Sequence, residues 1–125
     1  MKLHITAPLP PSLNNAYPSN KSGRRFLSKE GSVYKQILAL RVKQAAREQG
    51  FSVPEGARLS FTLRLYFPDR RRTDIDNRVK LPLDAVCAAL SVDDSTVDSI
   101  QVTRGAVDKV APRCTIILEV EQVKA

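Results

Sequence analysis

Apolar and polar residues alternate from the start of the chain. Leu3 and Ile5 share one face of a predicted strand over Lys2–Ala7. The run Pro8-Leu9-Pro10-Pro11-Ser12-Leu13-Asn14-Asn15-Ala16-Tyr17-Pro18 holds four prolines, which predict an ordered loop without helix or central strand. Ser19–Arg25 is polar and basic, the pattern of a mobile segment. From Lys29 or Ser32 to Gln49 the period becomes helical. Tyr34, Leu38, Val42 and Ala45 form an apolar stripe, flanked by Val33, Ile37 and Ala46, and Gly50 is a suitable stop. Ala57–Phe67 is the clearest strand, with Leu59, Phe61, Leu63, Leu65 and Phe67 on one face; Pro68 ends it. A second helix is predicted from Asp76 to Leu90, with Pro82 inside it. Val97–Val107 and Arg113–Val123 read as strands joined in a hairpin by Asp108–Pro112. The order β-α-β-α-β-β predicts a single α+β domain over residues 1–125, a small mixed sheet with two main helices packed on it.

Length and composition narrow the class. The 125 residues suffice for one core, and 42% hydrophobic with 26% charged residues is a globular balance. No apolar run approaches the roughly 18 residues of a membrane span. Met1–Ile5 lacks a signal-peptide stretch, so a cytoplasmic location is expected. Cys87 and Cys114 are expected to be reduced, His4 to be structural, and a zinc site is disfavoured. The net charge of +7 is uneven. Residues 1–56 carry nine Lys/Arg against three Glu, and residues 57–125 carry eleven basic against ten acidic residues. Every Asp lies between Asp69 and Asp108. A basic body suits a polyanion partner, or serves only solubility. Carboxylates on a polyanion-binding surface repel phosphate unless something neutralises them, and a divalent cation would.

The acids that stand out are Asp74, Asp76 and the Asp93-Asp94 pair. Asp74 and Asp76 are two apart where loop becomes helix, a spacing that points extended side chains the same way. Asp93 and Asp94 follow the far end of that helix, which at about 14 residues is about 20 Å long. The two ends meet only if the loop after Leu90 folds back. Hard oxygen ligands without His or Cys suit Mg2+, with Mn2+ as substitute. Such an ion can activate water and stabilise charge in phosphodiester hydrolysis. Lys80, four residues after Asp76, would share a helix face with it and could reach the phosphate or leaving oxygen. Arg70, Arg71 and Arg72 could hold flanking phosphates, and Lys21, Arg24 and Arg25 could extend a polyanion-binding surface. Each feature also has a plain use. A single Asp at a helix start is more often a cap, Asp76 and Lys80 could be a surface pair, the arginines a solvated loop, and Asn14-Asn15 a turn.

The stretch PDRRRTDIDNRVKLPLDAV followed by SVDDSTVDSI resembles the core of the RusA-type Holliday junction resolvases. PLPPSLNNAY is similar to that family's N-terminal proline and asparagine segment, Asn14 included among the candidate DNA contacts. The resemblance implies a homodimer of bacterial, phage or prophage origin that cuts four-way DNA junctions with magnesium. It implies that Asp74, Asp76 and Asp94 are the catalytic, metal-holding acids, that Lys80 is the lysine near the site, and that Asn77 positions the start of the helix. Cys87-Ala88 departs from the Asn-Gly that many relatives carry there. Two other classes stay open: a non-catalytic basic nucleic-acid-binding module, and a metal nuclease acting on other branched DNA or on RNA.

Overall fold

The computed structural model describes residues 1–121. Its elements are β1 (Lys2–Ala7), a single-turn helix α1 (Leu13–Ala16), α2 (Lys29–Gln49), β2 (Arg58–Tyr66), α3 (Lys80–Leu90), β3 (Val97–Arg104) and β4 (Arg113–Glu121). Short 3-10 turns at Ile75–Arg78 and Asp94–Thr96 flank α3. This is the expected α+β class. The predicted extension of the last strand to Val123 lies outside the described residues.

The sheet has the order β1-β4-β2-β3, with β2 and β3 parallel and the other pairs antiparallel. Alternation puts Leu3 and Ile5, Phe61, Leu63 and Leu65, and Cys114, Ile116 and Leu118 on one buried face. Register stacks them: Ile116 lies between Ile5 and Leu63, and Leu118 between Leu3 and Phe61. Tyr34, Leu38 and Val42 of α2, with Leu81, Ala85 and Val86 of α3, join the same core.

The expected hairpin is absent. β3 and β4 lie on opposite edges of β2, because β3 returns parallel to β2 after the α3 crossover and the 105–112 segment carries the chain across to β4. Gly105 makes that crossing possible: a Cβ there would sit 2.6 Å from the Tyr66 ring. The prolines do not exclude helix. α1 fits between Pro11 and Pro18 because Ser12 caps it, its side chain accepting from the Asn15 N–H. Ser19–Arg25 is an ordered turn, with Asn20 Oδ1 accepting the N–H groups of Ser22 and Arg24 at 3.0 Å each. Nor does one helix run from Asp76. Pro82 has no N–H to offer the Arg78 carbonyl, so the chain makes a 3-10 turn first and the α pattern begins with Leu83 N–H to Val79 O at 3.0 Å. On α2, Val33 and Ile37 flank the stripe in sequence but are exposed.

Gly31 shows how tightly α1 meets α2. A Cβ there would lie 2.8 Å from Leu27 Cδ1 and 2.9 Å from the Ala16 carbonyl oxygen. Gly31→Ala is therefore expected to destabilise the fold by about 1–3 kcal/mol in chemical denaturation, despite alanine's higher helix propensity. An unchanged or raised midpoint would refute this packing.

Candidate active site

Phe67 remains in the core after β2 ends, and Pro68 turns the chain out of the sheet. Three guanidiniums surround the Phe67 ring, with Arg104 at 4.9 Å, Arg78 at 5.6 Å and Arg71 at 5.7 Å from its centroid. Asp69 accepts from Arg71 Nε at 2.8 Å and from the Arg71 N–H at 3.1 Å; the Arg71 guanidinium holds its carboxyl below the usual range. A groove of about 550 Å³ opens here, lined by Phe67, residues 69–74, Arg104, Gly105 and Val107. It gathers Arg70, Arg71, Arg72 and Asp74. Arg70 and Arg72 are exposed and form no ion pair among the described residues.

Asp74 stands at the N-cap position of the Ile75–Arg78 turn, yet its side chain makes no capping hydrogen bond. Asp76 is exposed within the turn. Among the described residues neither pairs with Lys or Arg, and the same is true of Asp94. Arg104 and Arg78 spend their donors on uncharged oxygens, most of them backbone carbonyls. Arg104 donates to the Thr73 carbonyl at 2.7 Å and the Arg71 carbonyl at 3.4 Å. Arg78 donates to the Pro10 carbonyl at 2.7 Å and to Thr73 Oγ1 at 3.4 Å, and its buried Nε has no partner among the described residues. Burial, then repulsion from Arg71, lowers the Arg78 pKa from its ordinary value. Asn77 Oδ1 accepts the Leu13 N–H at 3.0 Å, joining this turn to the start of α1. The acid-bearing turn is thus tied to the proline segment on one side and to the end of β3 on the other.

Lys80 meets a different carboxylate from the one its spacing suggested. The break between the 3-10 turn and α3 removes the shared helix face, and Lys80 Nζ sits 3.2 Å from Asp84 Oδ2, four residues on. That oxygen also accepts the Tyr17 hydroxyl at 2.8 Å, and Nζ lies 5.3 Å from the Tyr17 ring centroid. Asn14 is exposed on α1. Lys21, Arg24 and Arg25 are exposed on the following turn, where Arg25 donates to the Tyr17 carbonyl at 3.3 Å.

Asp93 and Asp94 have separate duties. Asp93 caps the Asp94–Thr96 turn, its Oδ1 accepting the Ser95 N–H at 2.8 Å. That bond and the Ser95 side chain hold its carboxyl below the usual range. Asp94, the first residue of the turn, is exposed and does no capping. It is one of the charges that, after burial, push the Cys87 thiol up to about 11. The loop does not carry it back along α3. Val97, just after its turn, pairs with Leu59, whereas Arg104, which holds the Thr73 carbonyl beside Asp74, pairs with Leu65. Those positions are about 20 Å apart along β2. Among the described residues no three His, Cys, Asp or Glu side chains gather closely enough to hold a metal ion. By donor chemistry, three exposed carboxylates without cationic partners suit a hard divalent ion. By position, one chain supplies the Asp74–Asp76 pair at one end of β2 and Asp94 at the other. Sequence reasoning missed Tyr17, Asp84, Arg78 and Arg104; only the Lys80–Asp84 spacing offered a signal.

A single basic α+β domain with unspent acids beside an arginine-lined groove is the arrangement of a nucleic-acid-directed site. The chain belongs to the RusA family: the model described as Endodeoxyribonuclease RusA matches residues 8–119. It is 36% identical over 107 residues to the crossover junction endodeoxyribonuclease RusA of Enterobacteria phage 82, covering 85% of each chain. Against the protein of the same name from Escherichia coli K12 it is 37% identical over 106 residues, covering 84% of each. Among solved structures, the cyanuric acid hydrolase from A. caulinodans matches with a TM-score of 0.35 and 12% identity, over 97% of this chain and 38% of that one, and so slight a likeness carries no argument.

The cap on Asp93 yields a pH test. Its folded-state pKa is depressed, so its contribution to stability is present above the unfolded value and is lost as pH falls through the folded one. Asp93→Ala is expected to lower the melting temperature near neutral pH, and the gap from wild type should close toward strongly acid pH. Asp93→Asn, which keeps an acceptor, should lose less. A gap that stays constant with pH would contradict the capping assignment.

Proposed function

We propose that this chain is a magnesium-dependent endodeoxyribonuclease that resolves four-way DNA junctions by paired nicks during recombination and repair, acting as a homodimer in the cytoplasm of a bacterial cell. The observation that carries this reading is the unspent Asp74 carboxylate on the lip of a groove lined by arginines, in a chain of this family. No helix among the described residues is long and apolar enough to cross a membrane.

Asp74 and Asp76 of one subunit and Asp94 of the partner subunit would hold the ion. The distance between the two acid positions within one chain supports this division, and a two-fold dimer repeats it, so that each junction meets two sites. The ion, Mg2+ or Mn2+ in its place, would offset charge on the phosphoryl oxygen and polarise the attacking water. Lys80 offsets negative charge at the phosphate or leaving oxygen. Arg70 and Arg72 bind flanking phosphates, with Arg71 partly committed to Asp69. Lys21, Arg24, Arg25 and Asn14 extend the DNA surface on the α1 side. Selectivity for the junction then comes from shape and phosphate placement.

A second reading has one specific support, the lack of a converged acid trio among the described residues of one chain. It makes the protein a binding module without catalysis. Synthetic four-way DNA with and without Mg2+ separates the two. The nuclease reading expects Mg2+-dependent paired nicks from wild type. It expects Asp76→Asn to lose at least about 100-fold in cleavage rate while binding the junction as tightly or more tightly. Binding indifferent to Mg2+ with no nicked product would favour the module. Faster cutting of flaps or RNA in competition would move the substrate to another branched nucleic acid.

A further inference from the structure

We propose that Tyr17 and Asp84 are positioning residues that hold Lys80 in its working place before substrate arrives. This rests on the nuclease reading and on the role given there to Lys80. The observation is a three-member cradle. Asp84 Oδ2 takes the Tyr17 hydroxyl at 2.8 Å and the Lys80 ammonium at 3.2 Å, while the ammonium sits 5.3 Å from the Tyr17 ring centroid.

An exposed lysine–carboxylate pair one helical turn apart is ordinarily a weak, shifting contact. This one differs on the carboxylate side. The Asp84 side chain is only 24% exposed, against 58% for Lys80, so the anchor is fixed and the cation projects from it. The phenol that fixes Asp84 is itself held: Tyr17 closes α1, its N–H bonding the Leu13 carbonyl at 2.8 Å. The Leu13 N–H in turn bonds Asn77 Oδ1, inside the turn that carries Asp76. The cradle and the turn that carries Asp76 therefore share one mount. Burial, then Asp84, raises the Tyr17 pKa, which keeps its hydroxyl a donor to the carboxylate. A flexible four-carbon stem that is already ordered need not be ordered at the moment of reaction, so its loss should appear in the rate and not in binding.

The test is a double-mutant cycle read by single-turnover cleavage of a four-way junction with Mg2+, beside junction affinity and melting temperature. Asp84→Asn and Tyr17→Phe are each expected to slow cleavage by about 10–100-fold with little change in affinity. In a Lys80→Ala background neither should slow it further, because each acts through Lys80. Should Asp84→Asn fail to fold, Tyr17→Phe, which removes one hydroxyl and keeps the ring, carries the cycle alone. Losses that add in the Lys80→Ala background make the pair merely structural and overturn the proposal while leaving the nuclease reading intact. Wild-type rates in both single variants also overturn it. Full activity in Lys80→Ala overturns the role of Lys80 and the cradle together, and no cleavage by wild type overturns the nuclease reading itself.

Discussion

Everything at the candidate site depends on where the guanidiniums beside Asp74 place their hydrogen bonds. Arg78 lies in the acid-bearing turn and Arg104 is bonded to the residue before Asp74, and both donate to backbone carbonyls, those of Pro10, Arg71 and Thr73. Hydrogen bonds from a charged donor contribute about 1.5–3 kcal/mol each. They hold a loop of high charge in one path, and they leave the carboxylates of Asp74 and Asp76 without a counterion among the described residues. A salt bridge in that place would have occupied the carboxylates that the proposed reading assigns to the ion. The Phe67 ring face attracts all three cations, and Asp69 pairs with one of them, Arg71, so their mutual repulsion is offset without drawing on Asp74 or Asp76.

The parallel strand β3 is the second constraint. A hairpin would have left β3 beside β4. The crossover through α3 sets β3 along β2 in the same direction, so the segments before and after α3 fall at opposite ends of the sheet. Asp74 and Asp94 follow those ends. On the proposed reading a second copy would bring the two acid positions together, and the edge position of β3 leaves one of its sides unpaired among the described residues.

Strong local periodicity made β1, α2 and β2 legible. Leu59 through Phe67 alternates without a break, and Tyr34, Leu38 and Val42 keep one helical face down to the Gly50 stop. Strand order was not legible, because Asp108–Pro112 is a good turn sequence whichever neighbours β4 chooses; the pairing is decided by the crossover helix. The α1 turn was hidden by proline content, although proline forbids helix only at the positions it occupies. Val33 and Ile37 were misleading for a different reason: half of a helix's flanking residues face away from a single sheet. Residue pattern picked out Asp74, Asp76, Lys80 and the Asp93-Asp94 pair, and only the family resemblance chose Asp94; that Asp93 caps the turn while Asp94 does not needed geometry. Arg104 could not have been found by spacing, since its link to Thr73 spans 31 residues and exists only through the sheet.

Complementation in mixed dimers tests the central claim, that acids from two copies build each site. Asp74→Asn and Asp94→Asn subunits, each inactive alone, would be co-refolded and assayed on a nicking substrate. A mixed dimer should regain one intact site, joining Asp74 of the second subunit to Asp94 of the first, and should cut one strand with Mg2+ at about half the wild-type site count. Mixed dimers that form, bind the junction and stay as inactive as their parents would contradict the account.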